Sequence, residues 1–221
     1  KFFVWTPDEI RDVLGDAAGD ALAYWGVDRG PNFEGKSILY VAGEPVPARI
    51  VAARRALYEA RERRVHPGRD DKVLASWNGL AALAFAEAGR ALGRDDYVAA
   101  AVRNVEFVLR EMRKDGRLLR TWKGGQAKLR GYLEDHAMVA MALIAVWEAT
   151  FERRWLDEAR ALADEMLRLY WDDAVDGFYD TGTDHESLIV RPRNLFDNAV
   201  PCGSSVAIEA LLRLSVLTGE S

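Results

Sequence analysis

The sequence predicts an all-α protein, part of an (α/α)6 toroid of helical hairpins, with a small mixed α/β connector at its N-terminal end. Three observations carry this. Three apolar segments resemble one another: NGLAALAFAEAGRALGRDDY from Asn78, HAMVAMALIAVWEATFERRW from His136 and SSVAIEALLRLSVLTGES from Ser204. Each starts polar, runs on in small and aliphatic residues, and closes in a turn at Gly93, Phe151 or Gly219. The first two are each followed by an amphipathic helix, expected over 97–114 and 155–171, with charges such as Arg103, Glu106, Arg110 and Arg113 on one face. A turn and a short extended piece come next each time, at 115–118 and 176–179.

An apolar helix paired with an amphipathic one reads as an inner helix backed by an outer one that faces water. Such hairpins curl into a toroid; a stacked solenoid is the competing arrangement. Only two and a half hairpins are expected here, plus a helix over 48–65 that carries Ile50 and Leu57 and is broken by His66-Pro67-Gly68. The expected division is therefore a connector over 1–46 and a partial barrel over 47–221.

Within the connector, Thr6-Pro7-Asp8-Glu9 is a capping box with proline at the first helical position. It starts a helix that runs to Leu14. A second short helix runs from Asp16 to Trp25 and stops at Gly26. Residues 37–41 are strand-like and end in the turn Ala42-Gly43-Glu44-Pro45.

Composition removes several function classes. The 30 basic and 35 acidic residues give a net charge of −5 with no basic block, so no nucleic-acid partner is expected. No apolar run approaches the roughly 20 residues of a membrane span. One cysteine, Cys202, precludes an internal disulfide and fits a reducing, cytoplasmic setting. His66, His136 and His185 lack metal-ligand spacing. Asp172, Asp173, Asp176, Asp180 and Asp184 crowd one loop, but placing Gly177 at the sixth position of a calcium loop puts Ala174 and Thr183 where ligands belong. That loop reads as a solvated turn, and neither metal nor cofactor is expected.

The stretch Gly30–Ser37, GPNFEGKS, matches the phosphate-binding pattern G-x-x-x-x-G-K-[ST]. A working P-loop follows a buried strand and opens a helix. Here a helix precedes it and a strand follows, so a nucleotide-binding protein is a remote alternative. The stretch reads instead as a connector with Phe33 packed underneath.

The blocks DDKVLASWNGL from Asp70, YLEDHA from Tyr132 and NAVPCGSS from Asn198, with KFFVWTPDEIRDVLG and NFEGKSIL, resemble a family of large thioredoxin-domain-containing proteins. The resemblance runs along essentially the whole chain. It implies a six-hairpin α/α barrel similar to that of N-acylglucosamine 2-epimerase, preceded by a thioredoxin-like domain. The chain would then be an internal fragment, with that domain upstream and further hairpins downstream. Where the family pattern reads P-S-G-N-S, this chain has Pro201-Cys202-Gly203-Ser204-Ser205, so the amide is lost at Ser204.

In a toroid the inner helices start at one mouth, which places Asn78, His136 and Ser204 on one rim. Asp71, Lys72, Trp77, Glu134, Asp135, Asp197 and Asn198 are expected around the same funnel. Sugar chemistry uses such groups: paired carboxyls for hydrolysis, a near-neutral base for isomerisation or epimerisation. His136 is the expected base or acid, with Glu134 or Asp135 as its partner. The remaining residues are expected to bind substrate, with Trp77, Trp122 and Tyr132 available to stack on a sugar face. In the bland alternative, Glu134 and Asp135 are first-turn residues favoured by the helix dipole, and Asp70-Asp71-Lys72 is a buried ion pair under Trp77. Arg191-Pro192-Arg193 either meets an anionic ligand at the mouth or covers the rim. Two functions follow: a carbohydrate-active barrel of isomerase, epimerase or glycosidase type, or a non-catalytic module that binds a sugar or a polypeptide for the upstream domain.

Overall fold

A computed structural model describes residues 1–42 and 47–220. The chain divides into two compact units, 1–70 and 71–221. The expected turn residues Gly43-Glu44-Pro45 and the expected boundary at 46 lie outside the described residues.

The first unit begins with β1 (Val4–Trp5) and α1 (Pro7–Leu14), where Thr6 and Glu9 form the capping box that the sequence predicts. A short 3-10 turn leads into α2 (Ala18–Tyr24), which Gly26 closes in the left-handed region. β2 (Ser37–Ile38) pairs antiparallel with β1. α3 (Pro47–Glu62) packs on α1 and α2, with Ile50, Ala53 and Leu57 joining the core around Trp5, Ile10 and Trp25. This corrects the expected grouping of that helix with the barrel: its small apolar stripe is used to close the connector's own core. Lys36 sits in a turn bridged to Phe33 and leads into β2, with its ammonium 3.7 Å from Glu9. The pattern leads into a strand rather than opening a helix, so it lacks the helix start that a phosphate loop needs. Phe33 is 48% exposed rather than packed underneath.

The second unit opens with β3 (Val73–Leu74) and the first hairpin, α4 (Ala75–Leu92) and α5 (Asp95–Glu111). β4 (Arg113–Lys114), β5 (Arg117–Lys123) and β6 (Gln126–Arg130) follow, and β3 and β4 both pair antiparallel with β5. Gly124 and Gly125 both take positive φ, as the tight turn between β5 and β6 requires. The second hairpin is α6 (Leu133–Thr150) and α7 (Arg153–Tyr170), followed by the short pair β7 (Trp171–Asp172) and β8 (Gly177–Phe178). A stretch without helix or strand, 179–202, leads to α8 (Gly203–Thr218).

α4, α6 and α8 form the inner layer. Their first turns lie together: the Ser76 N–H donates to Asp135, and a Cβ on Gly203 would lie 3.0 Å from the Glu134 nitrogen. α6 is buried from Asp135 to Val146 because α4 and α8 flank it. α4 and α8 have fewer inner neighbours, and Leu92, Leu212 and Val216 stay exposed, so the expectation of inner helices buried all round holds for α6 only. α5 and α7 are the outer layer, with Val105, Val108, Leu162 and Met166 turned inward. All three inner helices end in a left-handed residue: Gly93, Phe151 and Gly219. This is an all-α partial toroid of two hairpins and a fifth helix.

Candidate functional site

The site grows from the first turn of α6. Asp135 is its third residue and is fully buried. One carboxylate oxygen accepts the Ser76 N–H at 3.0 Å. The other accepts the Tyr132 N–H at 2.9 Å and Arg120 Nη1 at 3.0 Å. Asp135 therefore joins the starts of α4 and α6 and faces no open space. Burial pushes its carboxyl up, against the pull of Arg120 and the two amides.

His136 is fully buried too, and it turns into the wall. Its Nδ1 lies 3.0 Å from the Tyr132 carbonyl and its Nε2 3.1 Å from Glu165 Oε2. Glu165 also pairs with Arg117 at 2.8 Å, and Arg117 with Asp184 at 3.0 Å. Burial works against the charge of Glu165, but the hydrogen bond and charge of His136, with Arg117 and Arg113 nearby, hold it below the ordinary glutamate value. The Tyr170 hydroxyl donates to the Gly131 carbonyl at 2.6 Å, and burial raises it strongly.

Above this wall lies a cleft of about 370 Å³ whose lining includes Arg120, Tyr132, Glu134, Asp180, Asn194 and Asn198. Glu134 accepts from Arg120 at 2.7 Å. Asp180 is fixed through its backbone: its carbonyl accepts the Leu133 N–H at 3.0 Å and its N–H donates to the Pro192 carbonyl at 2.9 Å. Asp180 Oδ1 accepts the Asn194 N–H at 3.2 Å. Burial raises the Asp180 carboxyl, the Asn194 amide pulls it back, and the negative charge of Glu134 pushes it up again.

The expected funnel is thus gathered in part. Glu134 and Asn198 line the cleft, and Asp135 lies beneath it. Asp197 accepts the Cys202 N–H at 2.8 Å at the start of α8. Ser204 is buried with its hydroxyl 3.5 Å from the Asn194 carbonyl. It is the second residue of its helix, whereas Asn78 and His136 are each the fourth, so the three are not equivalent. Asn78 turns outward, donating to the Leu74 carbonyl at 2.8 Å and accepting from Asn104 at 3.1 Å. Asp71 and Lys72 are exposed rather than buried, and Trp77 is 62% exposed. Of the three candidate stacking rings, only Tyr132 lines the cleft; Trp122 packs edge-on against Phe107. Arg191 and Arg193 cover Tyr179 with their guanidinium groups at 4.1 and 5.5 Å.

Sequence reasoning missed Asp180, Arg120 and Asn194. Asp180 was hidden in an acid-rich run that reads as solvated loop. The available signal was its place directly after the short extended piece that closes the second hairpin.

No protein-family model matches the chain. It is 35% identical to spermatogenesis-associated protein 20 of Mus musculus over 99% of its own length, and 30% identical to the Rattus norvegicus protein over 98%. The chain spans about a third of the length of these curated relatives. Among solved structures it is similar to a GH76 alpha-mannanase of Bacteroides thetaiotaomicron, with a TM-score of 0.53 at 16% identity over 96% of this chain and 53% of that one. It is also similar to a sugar epimerase from a ruminal bacterium, with a TM-score of 0.51 at 11% identity over 97% and 69%. These likenesses show the fold, the α/α barrel of sugar epimerases and glycosidases. The chain is thus a homologue of one third of spermatogenesis-associated protein 20, with the α/α-barrel fold in that part.

Proposed function

We propose that the second unit is a carbohydrate-active barrel domain, that its cleft binds a saccharide, and that Asp180 and Glu134 are its acid–base pair. One observation carries this reading: two carboxyl groups line one cleft in unlike surroundings. Glu134 is tied to a guanidinium, while Asp180 is raised by burial and by the charge of Glu134. Two carboxyls in unlike surroundings are what proton transfer at a sugar uses. Asp180 is placed to give a proton to a departing or ring oxygen. Glu134 takes a proton beside a carbonyl, as in isomerisation or epimerisation, or supports a cationic ring, as in hydrolysis. Asn198 serves as a binding residue. Asp135 and His136 act from behind, holding Tyr132 and the start of α6 in place.

The second reading is a sugar- or polypeptide-binding module serving an upstream thioredoxin-like domain. The ion pairing of Glu134 and the complete hydrogen bonding of Asp135 favour it. The test is a panel of neutral, amino and acidic sugars, followed by calorimetry for binding and by NMR for turnover, with Glu134→Gln and Asp180→Asn as variants. Turnover lost in both variants, with melting temperatures retained, supports the enzyme. Saturable binding without turnover in the parent supports the module. A panel without any binding sugar overturns the carbohydrate reading.

A further inference from the structure

The first unit carries a second cleft, of about 270 Å³, which plays no part in the sugar reading. α3 sends Arg54, Leu57, Tyr58 and Arg61 to one face, at the i, i+3, i+4, i+7 spacing of a helix stripe. Opposite stand Trp5 and Trp25, only 3% and 8% exposed. The walls are therefore aromatic and aliphatic, and among the described residues the charged groups that line the cleft are two arginines.

Those arginines differ from their neighbours. Arg49 pairs with Asp20, Arg55 with Glu59 and Arg64 with Glu9. Arg54 forms no ion pair among the described residues. Arg61 reaches only Glu62, at 3.5 Å, and its buried Nε–H has no acceptor. Rings rather than carboxylates hold its guanidinium: Phe2, Phe3 and Tyr58 lie at 5.3, 5.5 and 5.2 Å. An apolar trough with, among the described residues, one unpaired arginine, a second held loosely by Glu62, and no lining acid attracts an anion that has a flat apolar body.

We propose that this cleft binds a small aromatic anion, a planar ring carrying a carboxylate, with the ring against Trp5, Trp25 and Tyr58 and the carboxylate between Arg54 and Arg61. The experiment is calorimetric titration of the whole 221-residue chain with three indoles of the same ring and different charge: indole-3-acetate, 3-methylindole and tryptamine. Indole-3-acetate is expected to bind saturably, with 3-methylindole weaker by about tenfold, the worth of one charge-assisted hydrogen bond, and tryptamine weaker still. Arg54→Gln, at an exposed position, is expected to remove most of that preference without lowering the melting temperature. Tyr58→Ala is expected to weaken all three. Equal binding of tryptamine and indole-3-acetate, an Arg54→Gln variant with unchanged preference, or no saturable binding of indole-3-acetate at millimolar concentration would each overturn the proposal.

Discussion

At the scale of single residues, the wall beneath the cleft of the second unit is an ion-pair system whose charge state matters for folding. Glu165 has a folded value below its reference of 4.5. A depressed carboxyl contributes stability that is complete above the reference value and is lost as pH falls through the folded value. Asp135, raised by burial, has the opposite sign and gains on acidification. The parent protein is therefore expected to lose stability below about pH 4.5 by the Glu165 contribution, offset in part by Asp135. Glu165→Gln should cost about 3 kcal/mol at neutral pH, because buried His136 loses its carboxylate partner and Arg117 is left with Asp184 alone among the described residues. It should also flatten the acid side of the stability curve. Chemical denaturation at a series of pH values checks both, and an unchanged acid slope in the variant would refute the assignment.

The same scale shows what a sequence conceals. His136 and Asp135 are legible as first-turn residues of an inner helix, and the helix is where the apolar run predicts. Which way each side chain points is decided by partners far along the chain: Glu165 and Arg117 for His136, Ser76 and Arg120 for Asp135. A one-dimensional reading places both at the mouth because both stand at the helix start. Rotation about the helix axis, fixed by packing, then sends one into the wall and the other under the cleft.

At the scale of elements, the inner helices pack closely enough that small residues are needed. A Cβ on Gly79 would lie 2.6 Å from the carbonyl carbon of Met138, which is backbone and has little room to give. Gly79→Ala is expected to separate α4 from α6 and to destabilise the second unit by roughly 2 kcal/mol, measurable as a lower denaturation midpoint. The C-terminal caps give a contrasting case. Phe151 is 77% exposed and adopts φ 55°, a region that glycine occupies without penalty. Phe151→Gly is expected to stabilise the protein by about 0.5 kcal/mol despite losing the edge contact with Trp147. A loss of stability there would show that the ring contact outweighs the backbone term. Helix periodicity made the hairpins readable from the sequence. The β5–β6 hairpin was missed: the turn signal Lys123-Gly124-Gly125-Gln126 is present, but its flanks are rich in charge and mask the alternation.

At the scale of the whole molecule, two separate cores follow from the placement of α3. Leu57 is 3% exposed in the core of the first unit, and Leu57→Ala should remove about 3 kcal/mol from that unit. Hydrogen exchange should show faster exchange over residues 1–70 and retained protection in α6. Equal loss in both units would mean that they unfold as one. The division at residue 70 was harder to read than the repeat, because an alanine-rich stripe suits either core.

One attachment has a further consequence. Asp180 is tied by its carbonyl to the first residue of α6 and by its N–H to Pro192, and the chain from 186 to 190 between these ties is exposed. Asp180 is therefore anchored to the same first turn of α6 that carries Glu134, and that exposed stretch lies outside the link. On the proposed reading, a loop grafted between Ile189 and Val190 is expected to change what the cleft admits, through the neighbouring Leu188 in its lining, while the Leu133–Asp180 link holds the two carboxyls in place.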